Sequence, residues 1–474
     1  MQKKELPLAV CSEAFPTDPD FPQLKIATDP ALMLEVFREH LKPISRRALD
    51  ILECIPFRFR CRQSTARCVL QYTLRVAEPG AQRQWDQWVT GLVYAQPGEA
   101  ERLWQEAQGS DLRQEVPGYW LNFEPVCFIP DLQMLVTLFP YDRKLRNLSL
   151  VLGGALRDIE PQLLAQFGPG QWRADQHKIE PTRYRTEMGA ALKCTLQARD
   201  ALTGRSQTRR WYLKVYRNDH GQETFQLLRS FGVRRHTPKR WLSEAHPYSV
   251  VRAIAYLDEL RTLVLEEAAG TALQQLLVQG RDPEAAVRVV ARAVAAFNQD
   301  DLSITRPHPL AEQFDDVKRA STLVQWACPE LRAEAKAITA AVVGGLKEVP
   351  PAPIHRDLKP DHIFLEGDRV IFIDLDSVAL GDPVRDPAHL FAHITARVGV
   401  DSLPQEQAHI TASAFVEEYF AHAPDAWRKQ FPLHCAGALI EVAGGIFKRQ
   451  EPHWAEKVAA CVEEAKNALS GAVT

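Results

Sequence analysis

Between Ile354 and Leu390 the chain reads IHRDLKPDHIFLEGDRVIFIDLDSVALGDPVRDPAHL, and this segment constrains the fold more than any other. HIFL and RVIFI are short apolar strand segments, and the EGD between them is a turn signal. A hairpin built on that turn returns the end of its second strand to the start of its first. Asp374 and Asp376 then lie close to Asp357, Asp361 and His362. Carboxylates gathered at strand ends repel one another unless a cation sits among them. A hard ion such as Mg2+, held by one or two carboxylates plus phosphate oxygens, suits such a cluster. The competing reading is a surface hairpin with solvated acids.

The rest of the chain sets bounds. At 474 residues, two or three folding units are expected. Lys and Arg number 57 against 60 Asp and Glu, a net charge of −3, which speaks against a dedicated nucleic-acid binder. The nine cysteines are odd in number and include no CxxC pair, the pattern of reduced thiols in a cytosolic protein. The start, MQKKELPLAVC, holds too short an apolar run for a signal peptide, and export or lipidation at Cys11 is not expected. There is no apolar run of 18 residues, so no membrane span is expected. Proline outnumbers glycine, 32 to 24, which counts against a glycine-rich phosphate loop.

Two strand-rich stretches, about 56–145 and 178–267, flank a helical stretch at 145–167, and a helix is expected at 31–41. The two stretches resemble each other. Val93-Tyr94 in TGLVYAQPGEAERLW aligns with Val215-Tyr216 in YLKVYRNDHGQETFQLL, and without a gap Glu101 falls on Glu223. PDLQMLV (130–136) then matches DELRTLV (258–264) with an offset of 128 instead of 122, as a short insertion would produce. Chance likeness between two amphipathic βα segments is the bland alternative. Leu92 stands where the second copy has Lys214, so the first copy reads as a degenerate duplicate. The expected organisation is a lead-in over 1–29, the degenerate unit over 30–150, a linker helix over 151–177, a second sheet unit over 178–270 and a helical unit over 271–474.

HRDLKPDH resembles the catalytic loop of the protein-kinase-like fold, and IDLDSVALGDPVRDPA is similar to the IDxDxxxxGDPxxDxA signature of aminoglycoside phosphotransferase and choline-kinase relatives. The resemblance runs from about Lys178 to the C-terminus. It implies an α+β, bilobal protein-kinase-like fold with an extra N-terminal lobe-like unit, and an ATP-dependent phosphotransferase. By position, Asp357 would orient the acceptor hydroxyl and take its proton, since phosphoryl transfer needs little covalent help from the protein. Asp374 would be the metal-binding aspartate. Arg356, with His355, would brace the loop, Lys359 would reach the transferring phosphate, and Asp386 would support the loop.

One position departs from the pattern. The family usually has asparagine where this chain has His362, and imidazole is a poorer ligand for Mg2+ than an amide oxygen. Asp361, Asp376 or a water would then complete the metal set, or Mn2+ would serve; alternatively His362 is structural and catalysis has weakened. In WYLKVY (211–216) a mid-strand lysine among aromatics needs a partner for its ammonium, although a lysine snorkelling from an edge strand would also fit. The resemblance makes Lys214 the nucleotide-phosphate lysine and Glu223 its helix-borne partner. Glu266 and Glu267, before Ala268-Ala269-Gly270, fall on the segment whose backbone meets adenine. Gly189 in RYRTEMGAALKC is the single glycine of the phosphate-covering loop.

The duplicated N-terminal unit is similar to the maltokinase-like branch of sugar kinases, which implies a sugar or polyol hydroxyl as acceptor. No acceptor motif is legible in the C-terminal helices; Glu417 and Glu418 would serve a cationic acceptor. The N-terminal unit would cap a cleft, stiffen the active lobe or mediate a homodimer. Two other classes compete. A protein kinase is favoured by HRDLKP but has only ten residues from Asp376 to Asp386 for an activation segment. A pseudokinase is favoured by His362 and the one-glycine loop. The basic stretch Arg229, Arg234, Arg235, Lys239 and Arg240 reads as a solvated face, with an anionic contact as the alternative. Trp85, Trp88, Trp104 and Trp120 read as packing residues, with a stacking platform as the alternative.

Overall fold

The computed structural model describes residues 14–44, 48–62, 67–108, 112–154, 159–235 and 247–471. Cys11, Lys239 and Arg240 lie outside the described residues, as does 155–158 of the expected linker helix. The fold is α+β and divides into two compact units. One is made of Phe15–Phe225 and Ala253–Glu267, the other mainly of Gln226–Arg252 and Ala268–Thr474.

The first unit holds two five-stranded antiparallel sheets. In one, β1 (Asp50–Arg62), β2 (Arg67–Glu78), β3 (Arg83–Tyr94), β4 (Val126–Ile129) and β5 (Met134–Leu138) lie in the order β1-β2-β3-β5-β4. In the other, β6 (Trp172–Arg185), β7 (Gly189–Asp200), β8 (Ser206–Tyr216), β10 (Ala253–Leu257) and β11 (Thr262–Glu266) lie in the order β6-β7-β8-β11-β10. Strand β7 shows why: Ala190, Leu192, Cys194, Leu196 and Ala198 alternate with less buried residues and pack on Trp211, Leu213 and Val215. A helix follows the third strand of each sheet, α2 (Glu99–Gln108) and α4 (His220–Arg235). Helix α1 (Pro30–His40) precedes the first sheet, and α3 (Asn147–Leu152) lies between the two. Asp29 caps α1 by accepting from Ala31 N–H and Leu32 N–H, with proline at the first turn.

The two sheets agree in register as well as in order. Val69 faces Leu92 across β2 and β3, and Ala191 faces Lys214 across β7 and β8, 122 positions later on both strands. Leu92 faces Leu135, and Lys214 faces Leu263, which lies 128 positions after Leu135. Phe128 faces Leu135 as Tyr256 faces Leu263. Even a bulge recurs, at Ile51/Glu53 opposite Val76/Arg75 and at Ala174/Gln176 opposite Ala198/Gln197. A slip of one residue would turn every buried side chain to the other face, so shared register means a shared inside and outside.

The second unit is helical: α5 (Pro283–Asn298), α6 (Leu310–Ala327), α7 (Arg332–Gly345), α8 (Arg385–Thr395), α9 (Gln405–His422), α10 (Phe431–Lys448) and α11 (Trp454–Leu469). Against them lies a four-stranded sheet, β12 (Thr271–Ala272), β14 (Ile363–Glu366), β15 (Arg369–Phe372) and β9 (Tyr248–Val250), with β9 parallel to β15. β13 (Ala352–Ile354) pairs with β16 (Ala379–Gly381). The expected hairpin is β14–β15, with Glu366 opposite Arg369 and Gly367 at φ 61 in the turn. No helix among the described residues is long and apolar enough to cross a membrane. Among the described residues, the eight cysteines from Cys54 to Cys461 are free thiols.

Gly270 is at φ 84, and a Cβ there would come within 2.1 Å of the Leu365 carbonyl oxygen. Gly280 has φ 63 but open space around it. In urea denaturation Gly280→Ala is expected to cost about 1 kcal/mol from left-handed strain alone. Gly270→Ala is expected to cost on the order of 3 kcal/mol or more, because backbone must move.

Candidate active site

The site is built where β13 runs out. Arg356 has φ 71 and Asp374 φ 61, left-handed values that bulky residues avoid unless their surroundings hold them. Asp386, in the first turn of α8, does the holding. Its carboxylate accepts from the His355 N–H at 2.7 Å, the Arg356 N–H at 2.9 Å and the Asn298 side-chain amide at 3.0 Å. Asn298 also donates to the Pro353 carbonyl at 2.8 Å and accepts from the Tyr419 hydroxyl at 3.1 Å. The three bonds to the Asp386 carboxylate are charge-assisted, lie in a dry setting and are about twice as strong as neutral ones. His355 Nε2–H donates to the Ile373 carbonyl at 2.9 Å and ties the loop to the end of β15. The Arg356 guanidinium turns towards Glu312 and Asp316, at 3.7 and 3.5 Å.

Asp357, His362 and Asp374 meet as a result, each offering a ligand atom within 4.8 Å of the others. His362 is buried, and its Nδ1–H donates to the Asp357 carbonyl at 2.9 Å. Its Nε2 therefore carries the lone pair when the ring is neutral, and it faces Asp374 Oδ2 at 3.2 Å. Burial, then the charge of Lys359, push the His362 pKa down to about 4, against the pull of the nearby carboxylates. Burial works to raise the Asp357 pKa, but Lys359 and His362 outweigh it and hold the carboxyl below the usual range. Lys359 Nζ lies 3.2 Å from Asp357 Oδ2, and Asp357 keeps 43% of its side chain exposed. An unprotonated nitrogen pointing at a carboxylate oxygen is unfavourable until a cation joins them. The Asp374 carboxylate and the imidazole nitrogen would suit a six-coordinate divalent ion that keeps positions for phosphate and water, with the Asp357 carboxylate beside it. Asp376, expected in the metal set, is not among the three clustered groups; its backbone carbonyl accepts from Arg306 at 3.1 Å. Asp361 Oδ2 stands 3.9 Å from His362 Nε2.

Helix α8 underlies this site and is buried at every residue, charged ones included. Arg385 is held by both oxygens of Glu441, at 3.1 and 2.9 Å. His434 Nε2 lies 2.9 Å from Asp382 Oδ2, and Gln313 lies 3.0 Å from its Nδ1. His393 Nδ1–H donates to the His389 carbonyl at 2.9 Å, and burial pushes its pKa down to about 3. Gly381 is required where it stands, since a Cβ would meet Ile354 Cδ1 at 2.7 Å and the His308 carbonyl at 3.0 Å.

The residues expected to bind nucleotide lie on the second sheet or in the elements next to it. Lys214 is in the central strand β8, between Ala191 and Leu263, which excludes the edge-strand reading. Glu223 is 77% exposed and stands 3.1 Å from His220 Nδ1. Glu266 ends β11 opposite Trp211, and Glu267 lies 3.4 Å from Arg210. Gly189 opens β7 opposite Tyr216, where a Cβ would come within 2.9 Å of the Val215 carbonyl. The left-handed residue of the β6–β7 turn is Glu187, at φ 60. Its N–H donates to Asp142 at 2.6 Å and the Met188 N–H to the Arg185 carbonyl at 3.0 Å, so these two amides are already used. Of the tryptophans, Trp88 packs on Phe139 and Tyr184, Trp120 on Phe139, and Trp104 on Phe128.

Asn298, Tyr419 and Glu441 escape a motif-based reading. Each sits singly on a helix far along the chain, and only the fold brings it to the loop. A fully buried asparagine at a helix end is the one signal that points to such a role.

Residues 203–428 match the model of the Phosphotransferase enzyme family, a span that includes both the HRDLKPDH and the IDLDSVALGDPVRDPA segments. Among solved structures the chain is similar to a choline/ethanolamine kinase family protein from Mesorhizobium loti, at 13% identity over 66% of this chain and 92% of that one, with a TM-score of 0.41. It is also similar to the choline kinase LicA from Streptococcus pneumoniae, at 12% identity over 67% of this chain and 100% of that one, TM-score 0.41. An aminoglycoside phosphotransferase in a ternary complex with ADP and hygromycin B shows 13% identity over 67% and 100%, TM-score 0.41. No curated protein matches the sequence.

His393, buried in α8, makes stability depend on pH. His393 is neutral in the folded protein well below its unfolded pKa of 6.5, so unfolding takes up a proton in that range. Stability present above pH 6.5 is therefore lost as pH falls towards 3, by at most about 1.4 kcal/mol per pH unit for one group. Denaturation midpoints are expected to drop between pH 7 and pH 5. His393→Asn, which keeps a donor for the His389 carbonyl, is expected to flatten that slope.

Proposed function

We propose that this chain, whose residues 203–428 match the model of the phosphotransferase enzyme family, moves the γ-phosphoryl group of ATP to a hydroxyl of a small molecule. The observation that carries this reading is the meeting of Asp357, His362 Nε2 and Asp374 beside Lys359. Asp357 is ionised and partly exposed, and its position is set from behind by the loop. It accepts a hydrogen bond from the acceptor hydroxyl, aims the oxygen at phosphorus, and receives the proton as the new P–O bond forms and the bond from the γ-phosphorus to the bridging oxygen breaks, releasing ADP. A carboxylate of depressed pKa is a weak base but a good orienting group, which suits a loose transition state in which nucleophile deprotonation comes late. Lys359 steadies that carboxylate and offers a point charge to a phosphoryl oxygen.

Asp374 and His362 would hold a divalent cation, which when bound neutralises charge on the phosphate oxygens. The imidazole ligand shifts preference from Mg2+ towards Mn2+. Lys214 is assigned to the nucleotide phosphates. A sugar or other polyol as acceptor is supported by the two register-matched sheets, the feature in which the sequence resembles maltokinase-like sugar kinases. A regulatory, non-catalytic reading would have a protonated His362 fill the cation's place beside Asp374. With its pKa near 4 the ring is neutral at pH 7, and that pairing holds only in acid.

ATP consumption measured with Mg2+ and with Mn2+ against sugars, polyols, amines and peptides tests the proposal. Asp357→Asn is expected to lower turnover by about 10²–10⁴-fold. His362→Asn is expected to raise the ratio of Mg2+-supported to Mn2+-supported activity. Equal rates in wild type and Asp357→Asn would remove the enzymatic reading, and transfer to peptides alone would redirect it to a protein kinase.

A further inference from the structure

We propose that the first sheet and the segment that follows it form a positioning frame for the β6–β7 turn, gripping the Glu187 carboxylate through Arg67 and Lys144 so that the second sheet is set for nucleotide. The inference rests on the assignment of nucleotide binding to the second sheet.

Glu187 is buried and left-handed, an unusual setting for a glutamate in a turn. Arg67 holds it with both arms, Nη1 at 3.1 Å and Nη2 at 2.6 Å, and Lys144 Nζ approaches at 3.3 Å. The turn is fixed at two further points. Thr186 and Thr90 share a hydrogen bond of 2.6 Å, and Glu187 N–H donates to Asp142, which also accepts from Tyr184. The last residue of β8 is held from the same side, since Asn147 donates to the Tyr216 carbonyl at 3.0 Å and the Leu260 carbonyl at 2.6 Å. Lys214 lies two residues before Tyr216 on that strand.

The register of the two sheets shows what the first has become. Arg67 faces Tyr94 as Gly189 faces Tyr216, so the guanidinium stands at the first sheet's counterpart of the phosphate-loop glycine. Leu92 replaces Lys214, and the pocket beneath Leu92 is lined by Thr186 and Glu187 of the neighbouring sheet. A face that takes an anion in one sheet has been turned, in the other, to hold an internal carboxylate. A buried ion pair adds little net stability over apolar packing of the same size, so what this one contributes is position. That matters here because the turn has no glycine-rich segment and two of its amides are used internally.

The test uses the full chain. Amide hydrogen exchange at residues 185–189 and the Kd for ATP with Mn2+ are measured for wild type, Arg67→Ala, Arg67→Lys and Glu187→Gln. Leu74→Ala, a buried β2 residue away from the clamp, controls for loss of stability. Arg67→Ala and Glu187→Gln are expected to speed exchange in the turn at least tenfold and to raise the ATP Kd at least fivefold. Arg67→Lys is expected to recover at least half of the lost affinity, and Leu74→Ala to leave the Kd within twofold. Should Arg67→Ala fail to fold, Glu187→Gln, which keeps size and hydrogen-bonding capacity, decides. Unchanged exchange in the turn overturns the clamp. Faster exchange with unchanged Kd, or an equal rise in Kd for Leu74→Ala, overturns its link to nucleotide. A wild-type chain that binds no ATP overturns the nucleotide assignment itself, a result distinct from either.

Discussion

The Asp386 carboxylate is the point on which the candidate site turns. Two successive backbone N–H groups, of His355 and Arg356, and the Asn298 amide converge on it from the loop and from α5. Those bonds compensate the left-handed backbone of Arg356 and aim the next residue, Asp357, away from the core. Because Asp386 is buried in the first turn of α8, its charge is also favoured by the positive end of that helix. The local arrangement of the site follows: the His355 ring reaches the Ile373 carbonyl, and the end of β15 is drawn to the loop.

Burial on this scale is costly, and the helical unit meets the cost with paired groups. Arg385 has Glu441, His434 has Asp382, and His393 stays neutral against a carbonyl. Such pairs favour one arrangement over others more than they favour folding itself. The other unit applies the same device at Arg67 and Glu187, where opposite charges join two sheets. In both units a buried carboxylate fixes a turn whose own backbone would not hold its shape.

Much of the site was legible along the chain because its residues are close in sequence. The EGD turn required a hairpin, the hairpin returned Asp374 to His362, and HRD placed Asp357 beside both. The side-chain cluster was legible only in part: the hairpin brings His362 and Asp374 together, Asp357 joins them, and Asp376 is not among the three grouped residues. Alternation along a strand cannot tell which of two aspartates two residues apart points inward once a left-handed residue interrupts it, as Asp374 does at φ 61. The turn around Gly189 was read for its glycine, whereas its geometry depends on Glu187 and on Arg67, 120 residues earlier.

Local periodicity and turn chemistry determined the elements of this protein: the α+β class, the hairpin, the helical second unit, and the offsets of 122 and 128 that recur in the registers of the two sheets. These depend on neighbours a few residues apart, and the order of residues alone specifies them. Tertiary structure alone decided which charges are buried together. Asn298 with Asp386, Glu441 with Arg385, and Glu187 with Arg67 are separated by long stretches of chain. Their pairing depends on which faces the helices and sheets bury, and the desolvation that makes each pair matter exists only once those faces have closed.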